Sequence, residues 1–383
     1  MLIAADLLRW SADVLLAGAT LGCAYLLVAG IMALRFRARG DDPDTLPVPV
    51  TMLVPLCGHE PGLEQRLTAL CDQRYGAPLQ IVCGISSPQD PAIAAVERVI
   101  AARPNAAIDL HVDPMVHGHN LKVSNLINMA EHARHETLVL IDSDIEVGPG
   151  YLNGVIGELQ QPGVGAVTCL YRGVAVGGLW ARLAAIGINT HFLPNVIVAL
   201  ATGLGEPCFG ATIALSHDTL RRIGGFHAFA DHLWDDYAIG QAVRALGLKV
   251  AVPGFALGHV CCDNSAHQML GAQIRIARTI KSIDPAGHLG AVISHPMPLA
   301  LIAALLGGGG QALAVAAIAL TLRLALCWQM EREFAARAGS YLLVPVRDLL
   351  SFAVYVASFF GATVKWRGNS YRVVDDTLLA DPH

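Results

Sequence analysis

The hydrophobic pattern between residues 50 and 170 alternates between two periods. Short runs rich in Val, Ile and Leu are followed by stretches in which apolar residues recur at helical spacing. Alternation of this kind is typical of βαβ units, so the pattern predicts an α/β domain with a largely parallel sheet. The predicted strands are Val50–Leu56, Leu79–Ile85, Ile108–Val112, Thr137–Ile141 and Val164–Leu170. The predicted helices between them are Leu63–Cys71, Pro91–Ala102 and Lys122–His132.

Near the N-terminus the pattern changes to an unbroken apolar stretch. Val14–Leu34 contains no charged residue, and about 20 such residues cross ~30 Å of hydrocarbon as a helix. Arg35, Arg37 and Arg39 follow directly, which places this end in the cytoplasm by the positive-inside rule. The stretch is too long for a signal peptide, and no small-x-small cleavage site follows it. The sequence therefore predicts an uncleaved anchor.

A second apolar region lies near the C-terminus. Leu289–Leu322 is uncharged and too long for one crossing, so we expect two helices joined by a hairpin at the glycine run 307–310. A third segment, Tyr341–Val364, contains Arg347 and Asp348, and it either spans the bilayer or lies in its interface.

The predicted organisation is a transmembrane anchor over 1–35, a linker over 36–49, a cytosolic domain over 50–285, a membrane region over 289–364 and a tail over 365–383.

Composition supports a membrane protein and excludes one class of partner. Charged residues make up only 15% of the 383 residues, and the mean hydropathy is +0.49. The formal net charge of −5 excludes a strongly basic nucleic-acid-binding protein. The nine cysteines show no zinc-like spacing, so they are interpreted as reduced structural residues.

An aspartate pair follows the predicted strand Thr137–Ile141. Asp142 and Asp144 stand at the carboxyl end of that strand, where ligands bind in parallel sheets. Two carboxylates one residue apart can share Mg²⁺ or Mn²⁺, which then keeps open positions for substrate phosphates. An Asp-x-Asp triplet is also common in loops and helix caps, so this pattern alone leaves both interpretations open.

A second acidic pair, Asp235 and Asp236, opens the helical run Asp235–Leu246. Carboxylates are stabilised at a helix N-terminus by the helix dipole, which is a purely structural reason for the pair. The other reason is chemical, because a carboxylate can take a proton from an attacking hydroxyl.

Several short segments, taken together and in order, resemble a known enzyme family. They are Pro55–Gly58, Gln89–Ile93, Gly118–Leu126, Asp142–Asp144, Trp234–Tyr237 and Gln273–Thr279. The set, covering roughly residues 48–285, is similar to ceramide glucosyltransferase-type glycosyltransferases, which have a GT-A fold. Within that group the chain most resembles the bacterial hopanoid-biosynthesis-associated glycosyltransferases. The resemblance implies a GT-A domain with N-terminal and C-terminal transmembrane helices.

The resemblance implies roles for residues that bind the sugar nucleotide. Asp90 is expected to contact the nucleoside, although it also stands where it could cap the helix that begins at Pro91. Lys122 is expected to contact the nucleotide or its diphosphate. Asp142 and Asp144 are the expected metal ligands, and the metal would assist departure of UDP as a Lewis acid.

The resemblance also assigns the chemistry and the acceptor. Asp236 corresponds to the catalytic base, and Asp235 stands where relatives usually have glutamate. Arg275 and Arg278 are expected to bind diphosphate, because guanidinium groups match phosphate oxygens. Ile276 replaces the tryptophan of relatives. His191, in an apolar stretch, is expected to contact the acceptor.

The predicted function is transfer of a sugar with inversion from a UDP-sugar to a hydroxyl of a membrane lipid. The favoured pair is UDP-N-acetylglucosamine and bacteriohopanetetrol, and the nearest alternative is UDP-glucose and ceramide. Transfer to polyprenyl phosphate and a non-catalytic nucleotide-binding membrane scaffold stay open as further alternatives. The predicted location is the bacterial inner membrane, with several crossings and the catalytic domain facing the cytoplasm.

Overall fold

A computed structural model of the protein describes residues 2–37, 46–360, 363–366, 369–374 and 377–380. The described chain forms two compact units, each assembled from segments that are distant in sequence. Unit 1 contains the described residues of Met1–Ala38, Arg172–Gly205 and Cys261–Arg367, and unit 2 contains those of Arg39–Tyr171, Glu206–Val260 and Gly368–His383. This division differs from the predicted continuous domain over 50–285, because residues 172–205 and 261–285 belong with the apolar helices of unit 1.

The helices and strands are numbered in chain order. The helices are α1 Leu2–Arg37, α2 Leu63–Cys71, α3 Ala92–Ala102, α4 Leu121–Ala130, α5 Tyr151–Leu159, α6 Leu179–Gly187, α7 Leu193–Thr202, α8 His217–Arg222, α9 Asp235–Ala245, α10 Ala266–Ile283, α11 Pro285–Gly290, α12 Pro296–Ala303, α13 Gly309–Phe334 and α14 Val344–Ser358. The strands are β1 Val50–Leu56, β2 Leu79–Ile85, β3 Ala107–Val112, β4 Thr137–Ile141, β5 Ile145–Glu146, β6 Val164–Thr168, β7 Leu170–Ala175, β8 Thr212–Ser216, β9 Lys249–Ala251, β10 Ala256–Cys261, β11 Thr363–Trp366, β12 Asn369–Val374 and β13 Thr377–Ala380.

The main sheet of unit 2 has seven strands in the order β3-β2-β1-β4-β8-β6-β9. β1 pairs in parallel with β2 and β4, β2 with β3, and β6 with β9. β8 is antiparallel to β4 and β6. The sheet is therefore mixed but mostly parallel and is flanked in sequence by helices, which confirms the predicted α/β class.

Strands β1, β2 and β4 have the predicted bounds because they are buried almost throughout. A strand buried on both faces reads as a continuous apolar run, which is the pattern that predicts it. The predicted strand Val164–Leu170 begins at the predicted residue but ends two residues early, because the chain changes sheets near Thr168. β6 belongs to the main sheet, whereas β7 joins β5 and β10 in a small sheet. At this point the Thr168 hydroxyl donates to the Phe209 carbonyl at 2.9 Å and accepts a hydrogen bond from the Phe209 N–H at 2.8 Å.

Unit 1 contains four helical segments that are long and apolar enough to cross a membrane. They are Asp6–Arg37, Leu179–Thr202, Pro296–Phe334 and Tyr341–Ser358. Helix α1 packs against α7, α12 and α13. The helical path between α12 and α13 is broken at Gly307 and Gly309, whose φ angles of 106° and 59° favour glycine. The two helices pack against each other, as the hairpin predicted at 307–310 requires.

Helix α4 lies directly on strand β2 at Gly84. A Cβ atom on Gly84 would lie 2.5 Å from the Asn125 side-chain oxygen and closer still to Met129. The Asn125 amide donates to the Gly84 carbonyl at 2.8 Å, which fixes the helix at that height. The close approach of α4 to the sheet therefore depends on the absence of a side chain at residue 84.

We predict that Gly84→Ala destabilises the protein by about 1–3 kcal/mol, because overpacking forces α4 or Met129 to move. The measurement is the thermal unfolding midpoint of the detergent-solubilised protein. Gly148→Ala is the matched control, since a Cβ atom there would have no neighbour within 4 Å. Equal midpoints for the two variants would contradict the prediction.

Candidate active site

The two predicted acidic pairs and Lys122 lie in unit 2, each at the end of an element. Asp142 follows β4, and Asp144 lies in the turn between β4 and β5. Asp235 and Asp236 form the first turn of α9, and Lys122 lies in the first turn of α4. The side chains of this cluster therefore come from the turn after β4 and from the N-termini of α4 and α9.

Three of these side chains converge on one point, which Gly210 marks. A Cβ atom built on Gly210 would lie 3.2 Å from Lys122 Nζ, 3.3 Å from Asp236 Oδ2 and 3.4 Å from Asp142 Oδ2. Lys122 Nζ also contacts Asp142 Oδ1 at 2.6 Å. The backbone N–H of Gly210 donates to Asp236 Oδ2 at 2.8 Å. The structure thus brings together residues that are up to 114 positions apart in sequence, and glycine at 210 keeps the space between them clear.

Burial and like charge control protonation in this cluster. Burial, together with the charge of Asp235, raises the pKa of Asp236 to about 6. Burial also raises the pKa of Asp142, and the adjacent Lys122 ammonium only partly offsets that effect. Burial alone would lower the pKa of Lys122, but the charges of Asp142 and Asp235 raise it above its usual value. The cluster therefore holds one firmly charged cation and a carboxyl group that titrates close to neutrality.

The surroundings of Asp144 fit a divalent cation. Its buried Oδ1 atom has no hydrogen-bond partner, and His259 Nδ1 lies 3.5 Å from that atom. Burial would raise the pKa of Asp144, but the neighbouring His259 imidazole, together with the charges of Lys122 and Arg66, outweighs burial and lowers it. Two carboxylates and an imidazole form a donor set that suits divalent metal ions. Asp142, Asp144 and His259 are thus the residues that could hold one.

His259 is a candidate ligand that sequence reasoning missed. It reaches the site because β10 pairs with β5, which places His259 opposite Ile145, the residue after Asp144. A lone histidine in a short apolar run gives no sign of this pairing.

A buried arginine supports the turn between the two candidate metal ligands. Arg66, only 6% exposed, donates through Nε to the Ser143 carbonyl at 2.5 Å. Its Nη2 atom pairs with Glu60 at 3.1 Å, and Glu60 accepts a hydrogen bond from the Ser143 hydroxyl at 2.6 Å. Arg66 and Glu60 therefore hold Ser143 from both its backbone and its side chain. Sequence reasoning missed both, because a contact across 77 residues leaves no local pattern.

Asp90 joins the ends of two parallel strands. Its carboxylate accepts hydrogen bonds from the Gly58 N–H at 2.8 and 3.0 Å and from the Ala92 N–H at 2.9 Å. The first pair of bonds fixes the loop after β1, and the last caps the start of α3. The capping role is thus present, and the predicted nucleoside contact stays a prediction.

Arg275, Arg278 and His191 belong to unit 1. Arg278 donates to the Phe360 carbonyl at 2.5 Å, and Lys281 on the same helix donates to the Ser358 carbonyl at 3.0 Å. These cations cap the end of α14, where carbonyl groups lack helical partners. Burial lowers the pKa of Arg275. The predicted diphosphate contacts of Arg275 and Arg278 stay predictions.

His191 belongs to a buried polar cluster in unit 1. It lies in a π-helical turn, Ile188–Phe192, between α6 and α7. Its Nε2 atom lies 2.8 Å from Asp348 Oδ1, and Arg323 Nε lies 3.2 Å from the same oxygen. The Arg323 guanidinium also donates to the carbonyls of Thr190 and Ser294. His191 therefore takes part in a network that joins α13, α14 and the π-helical turn.

The same cluster has the donor atoms of a metal site, but its charge argues against one. Donor atoms of His191, His295 and Asp348 lie within 4.8 Å of one another. The single carboxylate of Asp348 already has two buried guanidinium groups near it, those of Arg323 and Arg347, so a divalent cation there would meet an excess of positive charge. We therefore interpret the cluster as an ion-pair network.

Similar solved structures define the class of the fold. The mannosyltransferase PcManGT from Pyrobaculum calidifontis, solved with GDP-Man and Mn²⁺, aligns with a TM-score of 0.51 and 22% identity over 92% of this chain and 99% of its own. The fold of the protein is that of a GT-A glycosyltransferase with added apolar helices.

Comparison of the sequence identifies the family. Residues 14–379 match Glycosyl transferase family 21, and the chain belongs to that family. Ceramide glucosyltransferase 1 of Caenorhabditis elegans is 24% identical over 349 residues, which cover 87% of this chain and 73% of the relative. Ceramide glucosyltransferase of Komagataella phaffii is 32% identical over 146 residues, which cover 36% of this chain and 28% of the relative. The protein is a glycosyltransferase.

We predict that Asp348→Asn destabilises the protein by about 3–5 kcal/mol, because it leaves the 1%-exposed Arg323 guanidinium without a counter-charge. Thermal unfolding in detergent measures the effect, and Asp13→Asn on the exposed face of α1 is the control. The double variant Arg323→Met/Asp348→Leu should recover most of the loss, since an apolar pair can replace a buried ion pair. An unchanged midpoint for Asp348→Asn would exclude a structural role for the network.

Proposed function

We propose that the protein transfers a sugar, with inversion, from a UDP-sugar to a hydroxyl group of a membrane lipid. The observation that carries the proposal is the convergence of Asp236, Lys122 and Asp142 on one clear space in unit 2. A base, a cation and a metal-binding carboxylate are the groups that such a transfer needs. The four apolar helices and the ceramide glucosyltransferases among its relatives support a lipid acceptor.

In the proposed mechanism, Asp236 removes the proton of the acceptor hydroxyl as its oxygen attacks the anomeric carbon. The bond from that carbon to the diphosphate breaks, and the electron pair leaves with UDP. Lys122 stabilises the negative charge that develops on the diphosphate. Asp142, Asp144 and His259 would hold a divalent cation, Mg²⁺ or Mn²⁺, which supplies Lewis-acid stabilisation of the same charge. Asp235, next in sequence to the base, keeps the pKa of Asp236 high by its own charge.

The remaining site predictions extend this proposal to both substrates. Asp90 contacts the nucleoside, Arg275 and Arg278 contact the diphosphate, and His191 contacts the acceptor. The favoured pair is UDP-N-acetylglucosamine and bacteriohopanetetrol, and the two ceramide glucosyltransferase relatives support UDP-glucose and ceramide as the alternative. The basic end of α1 supports a catalytic unit that faces the cytoplasm at the bacterial inner membrane.

A transfer assay tests the proposal and separates the pairs. The detergent-solubilised protein is incubated with radiolabelled UDP-N-acetylglucosamine or UDP-glucose, and with bacteriohopanetetrol or ceramide in turn. We expect label in the organic phase with one pair, loss of transfer in EDTA, and recovery with Mg²⁺ or Mn²⁺. Transfer only to polyprenyl phosphate would contradict the hydroxyl acceptor. Binding of UDP without transfer to any acceptor would favour the non-catalytic scaffold.

We predict that Asp236→Asn lowers kcat by about 10²–10⁴-fold, because the variant lacks the base, while affinity for UDP is kept. In the wild type, kcat/KM should fall about tenfold per pH unit below the pKa of about 6 and level off above it, since the base acts in its ionised form. Initial rates across pH and UDP titrations measure both effects. Substantial transfer by Asp236→Asn would favour an acceptor that is already anionic.

A further inference from the structure

Asn120 is a buried amide whose hydrogen-bonding capacity is fully used. It is 0% exposed and stands immediately before α4. Its side-chain oxygen accepts hydrogen bonds from the N–H groups of Lys122 at 3.0 Å and Val123 at 3.1 Å. Its side-chain NH₂ donates to the His232 carbonyl at 2.8 Å and to Asp235 Oδ1 at 3.1 Å. An asparagine side chain offers two donor and two acceptor positions, and all four are satisfied here.

We propose that Asn120 is a positioning residue that sets the distance and orientation between Lys122 and the Asp235–Asp236 pair. The inference rests on the proposed function, because it assumes that this pair contains the base. One planar amide links the first turn of α4, which carries the cation, to the first turn of α9, which carries the carboxylates. The described hydrogen bonds of the Asn120 side chain go to His232, Asp235, Lys122 and Val123 and not to Asp236, so its effect on transfer is indirect.

The backbone around Asn120 reinforces the link. The Asn120 N–H donates to the Ala230 carbonyl at 2.8 Å, and a Cβ atom on Gly118 would lie only 2.6 Å from that carbonyl. Between Gly118 and Asn120, the His119 N–H donates to Asp231 Oδ1 at 2.9 Å. The segment before α4 therefore lies directly against the segment before α9. These backbone ties should survive a change of the Asn120 side chain.

The Asn120 amide also provides a hydrogen-bond donor for the acidic pair. Asp235 is 8% exposed, and Asn120 is its side-chain hydrogen-bond donor among the residues that the structure describes. A buried carboxylate that loses its donor becomes less stable and tends to rotate or move towards water. Asp236 is the next residue on the same helical turn, so a shift of Asp235 would displace the base. Misplacement of a reacting group by about 1 Å can cost about 10²-fold in rate.

The alternative role of Asn120 is a helix cap alone. Asp and Ser cap helices about as well as Asn, because capping uses only a side-chain oxygen. An ionised Asp has no donor and would place a like charge beside Asp235, whereas Ser has a single hydroxyl donor on a shorter side chain and cannot replace both amide hydrogen bonds. Asn120→Ser and Asn120→Asp therefore keep the cap and remove the proposed link. This separation makes the two roles distinguishable.

The experiment compares Asn120→Ser and Asn120→Asp with the wild type in the full-length, detergent-solubilised protein. Three quantities are measured for each: the thermal unfolding midpoint, the KM for the UDP-sugar, and kcat. We expect Asn120→Ser to lower kcat at least about tenfold while KM changes less than about threefold, and Asn120→Asp to lower kcat further. Ser216→Asp is the matched control, because Ser216 caps α8 through the Thr219 N–H at 3.0 Å and has no link to the acidic pair.

Each outcome decides one question. Wild-type kcat in both variants would overturn the inference and leave Asn120 as a cap. A loss of kcat that is matched by a rise in KM and a lower midpoint would also overturn it, because it would reflect general loss of structure. Failure of the proposed function is distinguishable: the wild type would then not transfer sugar to a lipid hydroxyl, or Asp236→Asn would stay active.

Discussion

The active site is constrained by negative charge that is withdrawn from water. Asp142, Asp144, Asp235 and Asp236 gather in unit 2, and burial together with the neighbouring carboxylates raises the pKa of Asp142 and of Asp236. Lys122, whose side chain is 21% exposed, is the cation that offsets this effect, since its ammonium contacts Asp142 at 2.6 Å and lies close to Asp236. The excess of carboxylates over cations is the charge balance that the proposed divalent metal would neutralise. The same excess raises the pKa of Asp236 into the range where it can act as a base.

The sequence predicts the parts of the site that local pattern encodes. The bounds of β1, β2 and β4 follow from their apolar runs, and the place of Asp142 follows from the end of β4. The supporting residues lack such a signal. Arg66 contacts a residue 77 positions away, Asn120 contacts one 115 positions away, and His259 meets Asp144 through strand pairing. Contacts of this range arise from the tertiary fold, so a single sequence does not show them.

The apolar helices show a similar limit. From the sequence, Tyr341–Val364 either spans the bilayer or lies in its interface. The charged residues Arg347 and Asp348 leave both possibilities open, because charged side chains are costly in a helix that faces lipid. The structure explains them, since both are buried inside unit 1 and Asp348 pairs with Arg323. The helices α6 and α7 lie within the cytosolic domain that the sequence predicts over 50–285. Their membership of unit 1 follows from packing, which hydropathy does not report.

The order of segments along the chain has a consequence for biosynthesis. In the main sheet β8 lies between β4 and β6, yet in the chain it comes after the apolar helices α6 and α7. The acidic pair and His259 come later still. A growing chain therefore exposes these helices before it can close the sheet or complete the site. Synthesis of α6 and α7 therefore precedes every step that closes the main sheet, and the candidate site is complete only after both helices have been made.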